Sequence, residues 1–183
     1  IGESHCLSYA HSQVFLKKNP YIVTPKIIFG AKAFHFMSGL ENPYKAIAEN
    51  QLRHIPRGSK IFMSIGEIDC RAEEGIIKSS NKTRTSIIET IDRTVTGYVK
   101  WFLEKNLTLG HKYYFFNVPA PIYNTKYSQH INYQVAEVIE LFNYSLQEKI
   151  SNSQANIIDV YTQTSDQNGF SNSQYHCDNR HLD

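Results

Sequence analysis

Short apolar runs alternate with longer amphipathic segments along this chain of 183 residues. Four runs are bounded by Gly, Pro or polar residues, as buried strands are: residues 27–29, 60–65, 112–118 and 155–161. Between them, apolar residues recur at helical spacing over residues 83–106 and again from about 131 to 150. This alternation predicts the α/β fold class, as a three-layer α/β/α sandwich with a central, mainly parallel sheet.

The predicted sheet makes the loops that follow its strands the places to search for function. In open parallel sheets, ligands bind outside the carboxyl ends of the strands. The corresponding segments are residues 2–6, 30–41, 66–82, 119–130 and 162–183. The first and last of these, at opposite ends of the chain, contain residues with catalytic potential.

The composition of the chain limits which binding partners and compartments are expected. The formal net charge is +2, and Lys and Arg are scattered, so neither nucleic acid nor an anionic membrane is expected. No apolar run is long enough to span a bilayer. Three cysteines, Cys6, Cys70 and Cys177, do not make a disulfide scaffold in a domain of this length, and they favour a reducing compartment such as the cytoplasm. No motif calls for a cofactor.

The first of the two loops reads Gly2-Glu3-Ser4-His5. Residues from His5 to about Leu16 are compatible with a helix, so Ser4 is predicted to lie just before a helix N-terminus. The free N–H groups and the dipole of such a terminus favour negative charge, which suits a nucleophilic serine. An isolated serine in this position is also typical of a simple N-cap.

The second loop contains Asp178 and His181, which are three residues apart. On a helical turn, both side chains would project from the same face. A carboxylate in contact with an imidazole fixes its tautomer and stabilises the imidazolium, as a general base requires. The same spacing would also suit a surface ion pair.

Taken together, these motifs resemble the sequence blocks of SGNH (GDSL-like) hydrolases. Gly2-Glu3-Ser4 resembles their first block, usually Gly-Asp-Ser, and Asp178 with His181 resembles the last block. Residues 62–71, which read FMSIGEIDCR, resemble the third block in a form seen in bacterial polysaccharide-modifying proteins. Gly30, or alternatively Gly39, would be the second-block glycine. The blocks occur in the family's order and span nearly the whole chain.

The resemblance implies one domain over residues 1–183 with the flavodoxin-like SGNH fold, trimmed at both ends. It implies a serine esterase that needs no cofactor and acts through an acyl-enzyme on a small ester, such as a carbohydrate O-acetyl group. Ser4 would be the nucleophile, His181 the base and Asp178 its acidic partner. The backbone N–H groups of Ser4 and Gly30 would bind the oxyanion. With a sugar hydroxyl in place of water, the site would be a polysaccharide O-acyltransferase.

Two departures from the family pattern affect the predicted site. The third block normally has an Asn that donates to the oxyanion, whereas this chain has Ile68, and losing such a donor costs about 100-fold or more in rate. Arg71 is the nearest substitute donor, with Asp69 or Glu67 organising the loop. An ion pair of Arg71 with one of these carboxylates is an equal alternative. The second departure is Glu3 in place of the usual Asp.

Two further hypotheses use the same residues. The three cysteines and the nearby histidines His5, His176 and His181 would also suit a zinc site, although no C-x-x-C or H-x-x-x-H spacing occurs. A disulfide between Cys6 and Cys70, or between Cys70 and Cys177, is a further alternative to the zinc site. Alternatively, the chain is a non-catalytic binding module on the same fold, because Ile68 removes an oxyanion donor.

Overall fold

The computed structural model describes residues 1–16, 18–178 and 180–182, and its central element is a parallel sheet. The sheet contains three strands in the order β3 (Lys60–Met63), β4 (Lys112–Phe116) and β5 (Asn156–Ile158). A separate antiparallel hairpin consists of β1 (Gln13–Leu16) and β2 (Asn19–Ile22). The chain is therefore an α/β protein, and the predicted fold class is confirmed at this level.

Single bridges extend the parallel sheet beyond β3. Gly2 pairs in parallel with Ser64 on one side and with Ile27 on the other. A Cβ on Gly2 would collide with the Ser64 carbonyl oxygen, so this close approach requires glycine. The spatial order is thus residues 26–28, residues 1–3, β3, β4 and β5. Strand order reverses between residues 1–3 and β3, where open α/β sheets have their ligand crevice.

Helices connect the strands, and α5 is central to their packing. They are α1 (Ala33–Met37), α2 (Pro43–Arg53), α3 (Glu67–Cys70), α4 (Ile76–Thr83), α5 (Ile87–Leu109), α6 (Gln129–Ser151) and α7 (Tyr161–Thr164). α5 contacts α1, α2, α4 and α6. α2 begins with a favourable cap, because the Asn42 side chain accepts from the Lys45 N–H at 3.1 Å and Pro43 is the first helical residue. No helix within the described residues is long and apolar enough to cross a membrane.

The two faces of the sheet are covered differently. Side chains on one face are buried against α5, where Phe115 packs on Tyr98 with ring centroids 5.5 Å apart. Alternate residues on the other face are half-buried, and Phe116 stacks on Tyr9 of the N-terminal segment at 4.9 Å. The face of the sheet that packs against α5 is therefore buried, while the other face is covered in part by Tyr9, which precedes β1.

The N-terminal segment differs from its predicted structure. The helix expected from His5 to about Leu16 is wrong, because a single 3-10 turn over Ser4–Leu7 is followed by β1. Val14 and Phe15 are strand formers and pair with β2 across a turn in which Lys18 has a left-handed φ of 69°. The remaining predicted strands are shorter than expected, and the first is reduced to the bridge at Ile27.

Candidate active site

Ser4, His181 and Asp178 form one chain of hydrogen bonds in the structure. The Nε2 atom of His181 lies 3.0 Å from Ser4 Oγ, although the two residues are 177 positions apart. The Nδ1 atom of the same ring lies 2.7 Å from Asp178 Oδ2. Ser4 follows the strand segment of residues 1–3, so the contact lies at the carboxyl edge of the strands, where the sequence predicted it.

The loop that carries His181 is shaped by Asp178 itself. Asp178 Oδ1 accepts the backbone N–H groups of Arg180 and His181, both at 2.7 Å, so the pair lies in a bend and not on the expected helical turn. The pKa of Asp178 lies well below its usual range. The hydrogen bond with the His181 side chain contributes most to this shift, and the two backbone N–H bonds contribute next. The carboxylate therefore stays ionised and fixes the Nδ1–H tautomer of His181.

Glu3 is a second partner of the serine. Its carboxylate is buried, and Ser4 Oγ lies 3.0 Å from Oε2. The same oxygen accepts the His5 backbone N–H at 3.1 Å, and His5 Nδ1 lies 2.9 and 3.0 Å from the two carboxylate oxygens. Because a hydroxyl carries one proton, Ser4 can donate either to Glu3 or to the imidazole of His181 at any moment.

His5 connects the nucleophile turn to the C-terminal loop. Its Nε2 atom lies 2.7 Å from the Arg180 carbonyl oxygen, while Nδ1 faces Glu3. Both ring nitrogens therefore face acceptors, which requires an imidazolium. Burial alone would lower the pKa of His5, but the hydrogen bond and charge of Glu3 outweigh it and the pKa is raised. Correspondingly, burial would raise the pKa of Glu3, and His5 lowers it.

The sequence assigns the oxyanion to two backbone N–H groups, those of Ser4 and Gly30. Within the described residues, neither the Ser4 N–H nor the Gly30 N–H donates to a protein acceptor. Gly30 has a left-handed φ of 67° in a turn closed by the Ala31 N–H to Ile28 carbonyl bond of 3.0 Å. The Ile68 side chain is buried and supplies no donor. As far as the described residues extend, both N–H groups are therefore free to donate to a ligand, and their role as oxyanion donors stays a prediction.

The structure gives Arg71 and Asp69 partners of their own. Arg71 Nε and Nη2 bond to Glu67, at 2.6 Å for the shortest contact, and Nη1 bonds to Glu74 at 3.2 Å. The ion-pair alternative is therefore what the structure shows, and the role of Arg71 as an oxyanion donor stays a prediction. Asp69 is fully buried, and its carboxylate accepts the N–H groups that begin α1 at 2.6 and 3.1 Å. These bonds are with α1, and the predicted role of Asp69 as an organiser of the oxyanion loop that carries Arg71 stays a prediction.

A cleft of about 760 Å³ reaches the segment that carries His181, because Arg180 is among its lining residues, although Ser4, Asp178 and His181 are not. Its walls come from three predicted functional loops and include Glu67, Arg71, Glu73, Tyr123, Asn124, Tyr127, His176 and Arg180. Glu73, Tyr127 and Arg180 were not among the site residues predicted from the sequence. Only their location in loops after strands could have indicated them, because they match no motif. His176 lines the cleft while its Nδ1 bonds to Ser171 Oγ at 2.7 Å.

The zinc and disulfide hypotheses find no support in the positions of the thiols. All three cysteines are free, and only Cys177 is exposed. Across the part of the chain that the structure describes, the group with metal-ligand proximity is Glu3, His5 and Glu67, which contains no cysteine. Glu3 and His5 pair with each other and Glu67 pairs with Arg71, so these side chains already satisfy one another.

Comparisons with known proteins extend the description of the fold. No protein-family model matches the chain, and no curated protein matches it. A solved structure from Streptococcus pneumonia, provisionally described as a platelet activating factor, matches with a TM-score of 0.57 and 17% sequence identity. The match covers 100% of this chain and 74% of that one. At this identity the similarity concerns the fold alone.

Proposed function

We propose that this protein is a serine esterase of the SGNH kind that cleaves a small ester through an acyl-enzyme. The observation that carries the proposal is the continuous contact from Ser4 Oγ to His181 and on to Asp178, at 3.0 and 2.7 Å. Chance pairing of such residues is common between sequence neighbours, but Ser4 and His181 lie at opposite ends of the chain. Their meeting at the switch point of a parallel sheet supports a catalytic role.

The proposed reaction proceeds in two transfers. The Nδ1–H of His181 stays bonded to Asp178, so Nε2 takes the proton of Ser4 as Oγ attacks the ester carbonyl. The negative charge on the carbonyl oxygen is received by the backbone N–H groups of Ser4 and Gly30. The intermediate collapses as His181 returns the proton to the leaving alcohol. Water, deprotonated by His181 in the same way, then releases the acid and restores Ser4.

Glu3 and His5 would set the resting state of this site. While Ser4 donates to Glu3, its proton is directed away from Nε2, so attack requires the hydroxyl to rotate toward His181. The negative charge of Glu3 close to a forming alkoxide is offset by the His5 imidazolium that it binds on its other side. The pair therefore acts near the serine as a neutral unit, not as an isolated carboxylate.

The cleft favours a carbohydrate ester as substrate. Tyr123 is 44% exposed, and its ring offers an apolar surface of the kind on which sugar rings pack. Glu73, which accepts from the Tyr127 hydroxyl at 2.6 Å, and Arg180 offer an acceptor and donors for sugar hydroxyls. We therefore propose an O-acetylated sugar as the substrate class.

A fluorophosphonate probe tests the proposed nucleophile, because it reacts with activated serines. We expect stoichiometric labelling of the wild type, complete loss in Ser4→Ala, and unchanged labelling in Ser12→Ala, whose serine is exposed in the hairpin region. Labelled wild type should also lose hydrolysis of an O-acetylated sugar. Absence of labelling in a folded wild type would overturn the proposal and favour a non-catalytic binding module. Formation of an O-acetylated acceptor without release of free acetate, when a sugar acceptor is added, would identify an acyltransferase instead.

A further inference from the structure

A second cavity, of about 320 Å³, lies where α1, α4 and α5 meet. Four basic side chains from three parts of the chain line it, namely Lys32, Lys78, Lys82 and Arg93. Asp69 is the carboxylate among the lining residues, and its oxygens are occupied by the amides of α1. The cavity is therefore positively charged on balance, although the protein as a whole carries a formal charge of only +2.

Three of these four cations are exposed side chains without an ion-pair partner among the described residues. Lys32 pairs with Glu74 at 3.2 Å. Within the described residues, Lys78, Lys82 and Arg93 form no ion pair. Lys78 and Lys82 are four residues apart on α4, a spacing at which like charges repel each other. An anion bound between them would relieve this repulsion and accept hydrogen bonds from both ammonium groups.

Thr94 adds a neutral polar group to the wall of the cavity. It is 1% exposed and lines the cavity, so its hydroxyl is a candidate hydrogen-bond donor to a ligand bound there. Phe34, which is 45% exposed, adds an apolar wall on the same cavity.

We propose that this cavity binds a small phosphate monoester that carries an apolar group. The cations would hold the phosphate, the Thr94 hydroxyl would donate to one of its oxygens, and the apolar group would cover the Phe34 ring. The cavity volume suits a small molecule and not a polymer. This site shares no side chain with the Ser4, His181 and Asp178 contact, so it stands whether or not the chain is an esterase.

Titration with phenyl phosphate, followed by ¹H–¹⁵N NMR at low salt, tests the site. We expect saturable shifts in α4 and around Thr94, weaker binding of inorganic phosphate, and weakening as salt is raised. The triple variant K78Q/K82Q/R93Q should bind at least about tenfold more weakly, since charge-assisted hydrogen bonds are lost. The matched control R57Q/K100Q/K112Q removes the same charge from exposed positions elsewhere and should bind as the wild type does.

A further variant distinguishes a specific binding site from general attraction between the positive charges and the phosphate. Thr94→Val keeps the side-chain shape and should weaken phenyl phosphate binding while leaving its salt dependence unchanged. Equal weakening in the two triple variants, or no saturable binding to a wild type that is folded by circular dichroism, would overturn the proposal. A single-stranded oligonucleotide that binds these lysines more tightly than phenyl phosphate would also overturn it, because the patch would then serve a polymer.

Discussion

Ser4 Oγ lies 3.0 Å from two acceptors, the imidazole of His181 and the carboxylate of Glu3. Only the first can take the proton and later return it near neutral pH, because hydrogen bonding to His5 lowers the pKa of Glu3. The rate of the proposed reaction therefore depends on how the imidazole is presented to Ser4. Two neighbours control that presentation, namely Asp178 and His5.

Replacement of Asp178 by Asn should abolish most activity while leaving the fold intact. An amide can donate to Nδ1, which would place the remaining proton on Nε2 and leave no lone pair facing Ser4. We expect kcat to fall by about 10⁴-fold, as for the equivalent change in a serine protease triad. Hydrolysis of an O-acetylated sugar measures this, with Glu137→Gln on the exposed face of α6 as control. Retention of most of the wild-type kcat would remove Asp178 from the mechanism.

Replacement of His5 by Gln should change the pH dependence as well as the rate. His5 is a positioning residue that donates to the Arg180 carbonyl, and its ring centroid lies 5.2 Å from that of His181. Removing this positive charge favours protonation of the base, so the acid limb of the kcat/KM profile should move to higher pH. A lower rate with an unmoved acid limb would show that His5 only supports the loop.

The loop that follows β4 is clamped to α6 by one side chain. Asn143 Oδ1 accepts the Val118 N–H at 2.7 Å, and Asn143 Nδ2 donates to the Val118 carbonyl at 2.8 Å, both in a buried setting. This contact fixes the start of the segment that forms one wall of the cleft. It joins two elements through a side chain that no sequence motif indicates.

Asn143→Ala should therefore destabilise the protein more than its small volume change suggests. The substitution leaves a buried backbone N–H and a buried carbonyl without partners, which costs about 2 kcal/mol or more in the free energy of unfolding. Urea denaturation followed by circular dichroism measures this. Glu137→Ala on the exposed side of the same helix is the matched control and should change stability very little. Equal effects of the two substitutions would contradict the proposed clamp.

The elements differ in how well the sequence predicts them. The two long helices follow from apolar spacing, and in the structure Ser86 and Ser128 accept N–H bonds at their starts. The segment after Ser4 was wrongly predicted as a helix, because its strand forms only through pairing with β2. The spacing of Asp178 and His181 predicted their contact, although the local structure is a bend. The contact of His5 with the Arg180 carbonyl depends on long-range packing that no local pattern encodes.

Asp69 makes the stability of the protein depend on pH. Burial raises the pKa of Asp69 from 3.8 to about 7, despite the two amide bonds from α1. The folded state therefore binds a proton more tightly than the unfolded state, and this group's contribution to stability falls as pH rises from about 4 to 7. Asp69→Asn cannot titrate, so its free energy of unfolding should lack this fall. Parallel curves for the two proteins between these pH values would contradict the assignment.

Among its described residues, the segment from Ser171 to Leu182 contains no helix, and hydrogen bonds to Pro121, Ser8 and His5 attach it to the rest of the molecule. Regions with few buried apolar contacts open locally at a lower free energy than global unfolding requires. Such an opening would separate His181 from Ser4 while the sheet and α5 stay folded. Esterase activity should therefore disappear at a lower urea concentration than the far-ultraviolet circular dichroism signal, and coincident transitions would show that this segment unfolds only with the whole domain.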